Sequence, residues 1–151
     1  MKTLPAQVRW LIRRDMDEVM AIEKQSFDHP WTEEEFMCCL RERNTIGAVI
    51  EDNTQIIGYM IYEPHKGKLR LLNLAVKPIE RRCGYGRQMI QRLIDKLEQQ
   101  RRNTIETELG DSNLNGQLFL QACGFKAVRV IRDAWNGDDA YLFRYRLKGQ
   151  Q

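Results

Sequence analysis

This 151-residue chain has little that suits metal or disulfide chemistry. Its only histidines, His29 and His65, fall on loop-like segments far apart in sequence. Neither has a partner at ligand spacing, so no metal site is expected. The four cysteines, Cys38, Cys39, Cys83 and Cys123, match no zinc pattern, and adjacent Cys38 and Cys39 cannot easily bridge each other. Reduced thiols are expected. No apolar run approaches the roughly 20 residues of a membrane span. Residues Met1 to Pro5 open no apolar leader. A cytoplasmic location with no membrane contact is therefore expected. The net charge of +3 is too small to argue for nucleic-acid binding, although it permits an anionic ligand. No Ser-His-Asp or Cys-His pairing is evident, and there is no repeat, linker or low-complexity segment.

Hydrophobic content of 42% and charged content of 30% are ordinary for a soluble globular chain. A chain of this length buries about 68–70% of its unfolded surface as one domain, which is expected to span residues 1–151. The most informative stretch runs from apolar Leu71–Val76 and Pro78 through Arg81-Arg82-Cys83-Gly84-Tyr85-Gly86-Arg87 to a helical pattern from Met89 to Leu97. A strand, a basic glycine loop and a helix in that order make an anion site. Glycines let the backbone turn its N–H groups inward, the helix start adds partial positive charge, and arginines add full charges. A P-loop needs Gly-Lys-Ser/Thr, but Gly86 is followed by Arg87 and Gln88. A dinucleotide fingerprint needs a third glycine where Met89 stands. What remains is Arg-x-x-Gly-x-Gly, and a diphosphate-bearing ligand is its natural guest.

The periodicity predicts β-α-α-β-β-β-α-β-α-β-β. Val8–Arg13 reads as a strand, and Asp15 as the cap of a helix bearing Val19, Met20, Ile22 and Phe27. Pro30-Trp31 breaks that helix, and Thr32 with Glu35 forms a capping box for the next. Ile46–Glu51 and Ile56–Glu63 form a hairpin around Asp52-Asn53, and Pro64 to Gly67 turns into Lys68–Val76. Thr104–Leu109 is a strand. Asn113–Cys123 is a helix closed by Gly124. Lys126–Arg132 and Ala140–Leu147 flank an Asn136-Gly137 turn. The prediction is a mixed α/β sheet, mostly antiparallel, with Lys68–Val76 and Thr104–Leu109 as a parallel pair.

The glycine loop resembles the pyrophosphate loop of the GNAT family of N-acetyltransferases, which bind acetyl-CoA there. Glu108 to Asn113, followed by a helix to Gly124-Phe125, resembles the family's later Glu-x-x-x-x-Asn motif. Phe27-Asp28-His29-Pro30-Trp31, with Phe36 beyond, resembles a segment of the bacterial ribosomal-protein-alanine N-acetyltransferases. The likeness spans about residues 8–147. It implies a twisted sheet with a splayed parallel pair, flanked by helices. It also implies direct acetyl transfer in a ternary complex, with a protein N-terminal amine as acceptor, a ribosomal protein's alanine among the possibilities. Alternative readings keep the cofactor but take a lysine, a polyamine or another small amine, or leave a coenzyme A-binding regulatory module without turnover.

By that resemblance, cofactor contacts fall on Leu74, Ala75 and Val76, whose main chain meets the thioester oxyanion. They also fall on Arg81, Arg82, Cys83, Gly84, Tyr85, Gly86 and Arg87, and on Asn113. Trp31 and Phe36 line the acceptor groove. Glu108 sits at the position of the family's general base, sharing a strand face with Glu106. An N-terminal amine, with a pKa of about 7.7–8.0 against about 10.4 for lysine, is the easier one to deprotonate. At Leu120 the ribosomal-protein enzymes carry a tyrosine that protonates the leaving thiolate, and leucine has no proton to give. Tyr141, Tyr145, Tyr85 or water is left to do so, with Tyr141 the choice here.

Overall fold

The structure is a computed structural model, and it describes residues 6–135 and 137–148. The strands are β1 (Gln7–Trp10), β2 (Ile46–Asp52), β3 (Gln55–His65), β4 (Lys68–Val76), β5 (Thr104–Gly110), β6 (Lys126–Trp135) and β7 (Asp138–Arg146). The helices are α1 (Met16–Ser26), α2 (Glu33–Arg41), α3 (Tyr85–Gln99) and α4 (Leu114–Ala122), with 3-10 turns at Arg13–Asp15 and Pro78–Glu80. The strand order is β1-β2-β3-β4-β5-β7-β6, a mostly antiparallel sheet of seven strands with one parallel pair. The mixed α/β architecture and its element order follow the sequence pattern. Among the described residues, no helix is long and apolar enough to cross a membrane.

Contacts divide the chain into two compact units. One runs up to Glu63 and includes Asn73–Met89; the other comprises Pro64–Leu72 and the chain from Ile90 onward. In the first, β1 pairs with β2 and β2 with β3, both antiparallel, and the β2 register shifts at Ile50/Glu51. In the second, β4 pairs in parallel with β5 over Lys68–Leu71 opposite Thr104–Thr107. Beyond that stretch β5 continues against β7 as far as Gly110 opposite Ala140.

Local structure follows local chemistry. Thr32 Oγ1 accepts the Glu35 N–H at 3.1 Å, and Glu35 Oε1 accepts the Thr32 N–H at 3.3 Å, which is the predicted capping box. Asn113 caps α4 by accepting the Gly116 N–H at 2.9 Å. Gly124, at φ 95°, ends that helix in the left-handed region. Of the apolar stripe on α3, Met89, Ile90, Leu93 and Leu97 are buried, while Ile94 is half-buried.

Four expectations shift. The first strand ends at Trp10, and Asp15 does not cap α1 with its side chain. Its buried carboxylate instead accepts the Ile12 N–H at 2.9 Å and both Arg9 guanidinium ends at 2.8 and 3.0 Å, winding the chain into a 3-10 turn. The β2–β3 turn falls one residue later than predicted, on Asn53 and Thr54 at φ 51° and 69°. β3 runs through Pro64 to His65, so the following turn is shorter than expected. Of the predicted Asn136-Gly137 turn, Asn136 lies outside the described residues, and Gly137 has φ 90°.

Candidate active site

The basic glycine loop lies in the first unit, between the Pro78–Glu80 turn and α3. Arg82 at φ 66° and Gly84 at φ 87° both take the left-handed region. A Cβ added at Gly84 would meet nothing within 4 Å, so the space over this backbone is open. Arg81, Arg82, Cys83, Gly84 and Arg87 are exposed, and Gly86 is half-buried. The first bond of α3 runs from the Gln88 N–H to the Gly84 carbonyl at 2.9 Å. The amides of residues 84–86 precede it and lie at the positive end of the helix. An open backbone, a helix start and exposed guanidinium groups suit a diphosphate.

Arg81 behaves differently from Arg82. Its guanidinium donates to the Val76 carbonyl at 3.1 Å and to Ser26 Oγ at 3.0 Å, tying the loop to β4 and α1. The Tyr85 hydroxyl donates to Asp52 Oδ2 at 2.8 Å. That bond to a carboxylate pushes the phenol up to about 12, so it stays protonated. Tyr85 thus spends its side chain on the β2–β3 turn and offers the loop its main chain. On β4, Ala75 is buried while Leu74 and Val76 are half-buried, less enclosed than core residues.

Beside this lies a buried polar cluster in the same unit. Glu23, 1% exposed, sits on α1 with Val19 and Ile22. Its Oε1 accepts the Tyr59 hydroxyl and Asn73 Nδ2, the latter at 2.7 Å, and its Oε2 accepts the Trp31 N–H at 2.8 Å. Burial and the adjacent carboxylate hold the Tyr59 phenol far above its usual pKa, so it remains a donor. The Trp31 ring meets Phe36 edge-on at 5.0 Å, and Phe36 meets Tyr59 at 5.9 Å. Trp31 is half-buried and Phe36 fully buried.

In the second unit, Glu106 and Glu108 share a face of β5. Glu106 is buried between Lys68 Nζ at 2.7 Å and Arg144 at 2.7 and 2.9 Å. The Lys68 ammonium, then Arg144, hold its carboxyl below the usual range against the opposing effect of burial. Glu108 is half-buried and pairs with Arg70 at 3.6 Å. Leu142 stands opposite Glu108 in the β5–β7 register and Tyr141 opposite Leu109, so Glu108 and Tyr141 alternate to different faces. Tyr145 packs its ring on Phe125 at 5.6 Å. Leu120 is buried on α4. Asn113 uses its Oδ1 on the cap, which leaves its amide nitrogen as a donor.

A sequence profile of the acetyltransferase (GNAT) family matches residues 9–125. The chain belongs to the GNAT acetyltransferase family. It is therefore an acyltransferase. This acetyltransferase is 28% identical over 119 residues to the ribosomal protein bS18-alanine N-acetyltransferase of Haemophilus influenzae, covering 79% of this chain and 80% of that one. Its fold matches the crystal structure of the ribosomal-protein-S18-alanine N-acetyltransferase from Escherichia coli with a TM-score of 0.84 at 22% identity, over 97% of each chain. It also matches Arabidopsis thaliana NAA60, solved in complex with acetyl-CoA, with a TM-score of 0.81 at 16% identity, over 96% of this chain and 100% of that one.

Sequence reasoning missed the Glu23 cluster. One signal was present: Glu23 follows Val19 by four residues and Ile22 by one, on the stripe that α1 buries. A carboxylate on such a stripe must find donors, although its partners stand 8, 36 and 50 residues away.

Proposed function

We propose that this acetyltransferase transfers acetyl from acetyl-CoA to the α-amino group of a protein N-terminus, a ribosomal protein's N-terminal alanine being the leading acceptor. The observation that carries this is likeness over about four-fifths of both chains to an enzyme named for that reaction. The retained Glu108–Asn113 spacing supports it. Acetyl-CoA supplies the acetyl group as an activated thioester. Exposed Arg82 and Arg87, with the main chain from Cys83 to Gly86, bind its diphosphate. The main chain of Leu74–Val76 gives the thioester oxygen a donor as its charge develops. Asn113, through its free amide nitrogen, steadies the pantetheine arm.

Glu108 takes the proton from the incoming ammonium, directly or through water, and leaves a neutral amine with a lone pair for attack. Trp31 contributes the acceptor wall, with Phe36 beneath it. For the leaving sulfur, Tyr85 is committed to Asp52, the Tyr145 ring packs on Phe125, and Tyr141, the choice from sequence, stands on the sheet face opposite Glu108, so water is the proposed proton source. A thiol pKa near 8.5 makes this last demand a soft one.

Thiol release from acetyl-CoA tests the reading. Peptides with a free N-terminal alanine should support it. The same peptides with a blocked α-amine and a free lysine should not. Faster release with the lysine peptide or with a polyamine would reject the N-terminal acceptor while leaving the acetyltransferase intact.

A further inference from the structure

We propose that Glu23 is a positioning residue for the acceptor side of the reaction: its buried carboxylate ties the Trp31 backbone to β4 at Asn73 and so fixes the wall that an acceptor amine passes. The inference rests on the reading that Trp31 touches the acceptor.

Glu23 is 1% exposed, and no ion pair among the described residues includes it. A carboxyl group without a cation persists in a core only when hydrogen-bond donors face it. Three do: the Tyr59 hydroxyl, Asn73 Nδ2 and the Trp31 N–H. An apolar side chain four residues after Val19 would fill the same stripe without that cost. What the carboxylate adds is a joint between chain segments that touch the proposed chemistry. Trp31 lies in the connection from α1 to α2, Tyr59 on β3, and Asn73 immediately before Leu74–Val76.

The same end of α1 also reaches the diphosphate loop. Ser26 Oγ, three residues beyond Glu23, donates to the Ile22 carbonyl at 2.6 Å and accepts from Arg81 at 3.0 Å. The last turn of α1 therefore holds the acceptor wall through Glu23 and the loop through Ser26. Each attachment has its own bonds, so loosening the first need not disturb the second. The ring of Trp31 also rests edge-on against Phe36. Without the bond to its amide, the segment around Pro30 and Trp31 can shift while the core beneath stays filled.

Glu23→Gln keeps the shape but replaces one of two acceptor oxygens with a donor, so it cannot serve all three partners as they stand. The expected result is a rise of about tenfold in KM for an N-terminal peptide, with kcat within about threefold and the acetyl-CoA Kd within about twofold. Amide hydrogen exchange over residues 28–32 should quicken. Adding Asn73→Asp gives the glutamine amide an acceptor on β4 and frees its oxygen for the Trp31 N–H. That double variant should recover most of the lost peptide KM. An unchanged peptide KM in Glu23→Gln would overturn the proposal, as would an acetyl-CoA Kd that moves in step with KM.

Should Glu23→Gln not fold, Tyr59→Phe removes a single donor. It is expected to raise the peptide KM by about two- to threefold and to leave the acetyl-CoA Kd unchanged; no change in peptide KM would reject the role. Failure of the functional reading looks different. It shows as a wild-type protein that acetylates no N-terminal peptide, whereas the exchange measurement reads Glu23's hold on Trp31 without any acceptor.

Discussion

Glu106 and Glu108 stand two residues apart on one face of β5, and the cations around them divide their roles. Lys68 and Arg144 close on Glu106 from both sides, while Arg70 reaches Glu108 at 3.6 Å from a side chain that is itself 45% exposed. Because the folded pKa of Glu106 is depressed below its ordinary 4.5, the stability it contributes is fully present above pH 4.5 and is lost as pH falls through the folded value. Asp15, held down by Arg9 from an ordinary 3.8, follows the same sign. Glu106→Gln should therefore lower stability at pH 7 by on the order of 1–2 kcal/mol, since both cations are partly solvated, and flatten the acid limb of a denaturation profile. Equal losses at pH 7 and pH 3 would show that the ion pairs contribute nothing. Glu108→Gln tests the other role: calorimetric affinity for acetyl-CoA should hold while turnover falls by about 10²-fold or more, most at low pH. Wild-type rates across pH would dismiss Glu108 as the base.

At the scale of elements, β4 and the strand beside it meet at close quarters. A Cβ at Gly58 on β3 would stand 2.7 Å from the Ala75 carbonyl oxygen and 3.2 Å from Met89. The carbonyl belongs to backbone, so β4 would have to move. Gly58→Ala should cost about 1–3 kcal/mol in urea unfolding and weaken acetyl-CoA binding, because the displaced segment is the proposed oxyanion strand. Full affinity in a destabilised variant would separate that strand from the thioester. Elements with local signals were legible in sequence: the Thr32–Glu35 box, the α3 pattern from Met89 to Leu97 and the closing Gly124 each depend on residues within a few positions. The order of the last strands was not legible, since β7 rather than β6 pairs with β5, and a hairpin pattern does not say which arm turns inward. Glu106 carried no local mark of its fate either, as its cations lie 38 residues away on both sides.

For the whole molecule, a ligand that binds only the folded chain raises its stability, and the proposed role of the glycine loop can be read from how much. At 100 times its Kd, acetyl-CoA should add about 2.7 kcal/mol. For a chain of about 150 residues that is a rise of roughly 5–10 °C in Tm. Arg82 and Gly84 let binding be read apart from folding. Arg82 is held at φ 66°, where a side chain is strained, so Arg82→Gly relieves that strain at about the cost in chain entropy that glycine brings. The free Tm should therefore stay within a few degrees of wild type. The ligand-induced rise should shrink if the guanidinium proposed to face the diphosphate is gone. Gly84→Ala has the opposite profile: at φ 87° alanine is strained by about 1–2 kcal/mol, so the free Tm drops, and a methyl group enters the open space over the loop. Its ligand-induced rise should nearly vanish. If both variants kept the full wild-type rise with acetyl-CoA, the diphosphate would have to bind elsewhere on the chain, and Arg82 and Gly84 would be no more than a turn and its solubilising charge.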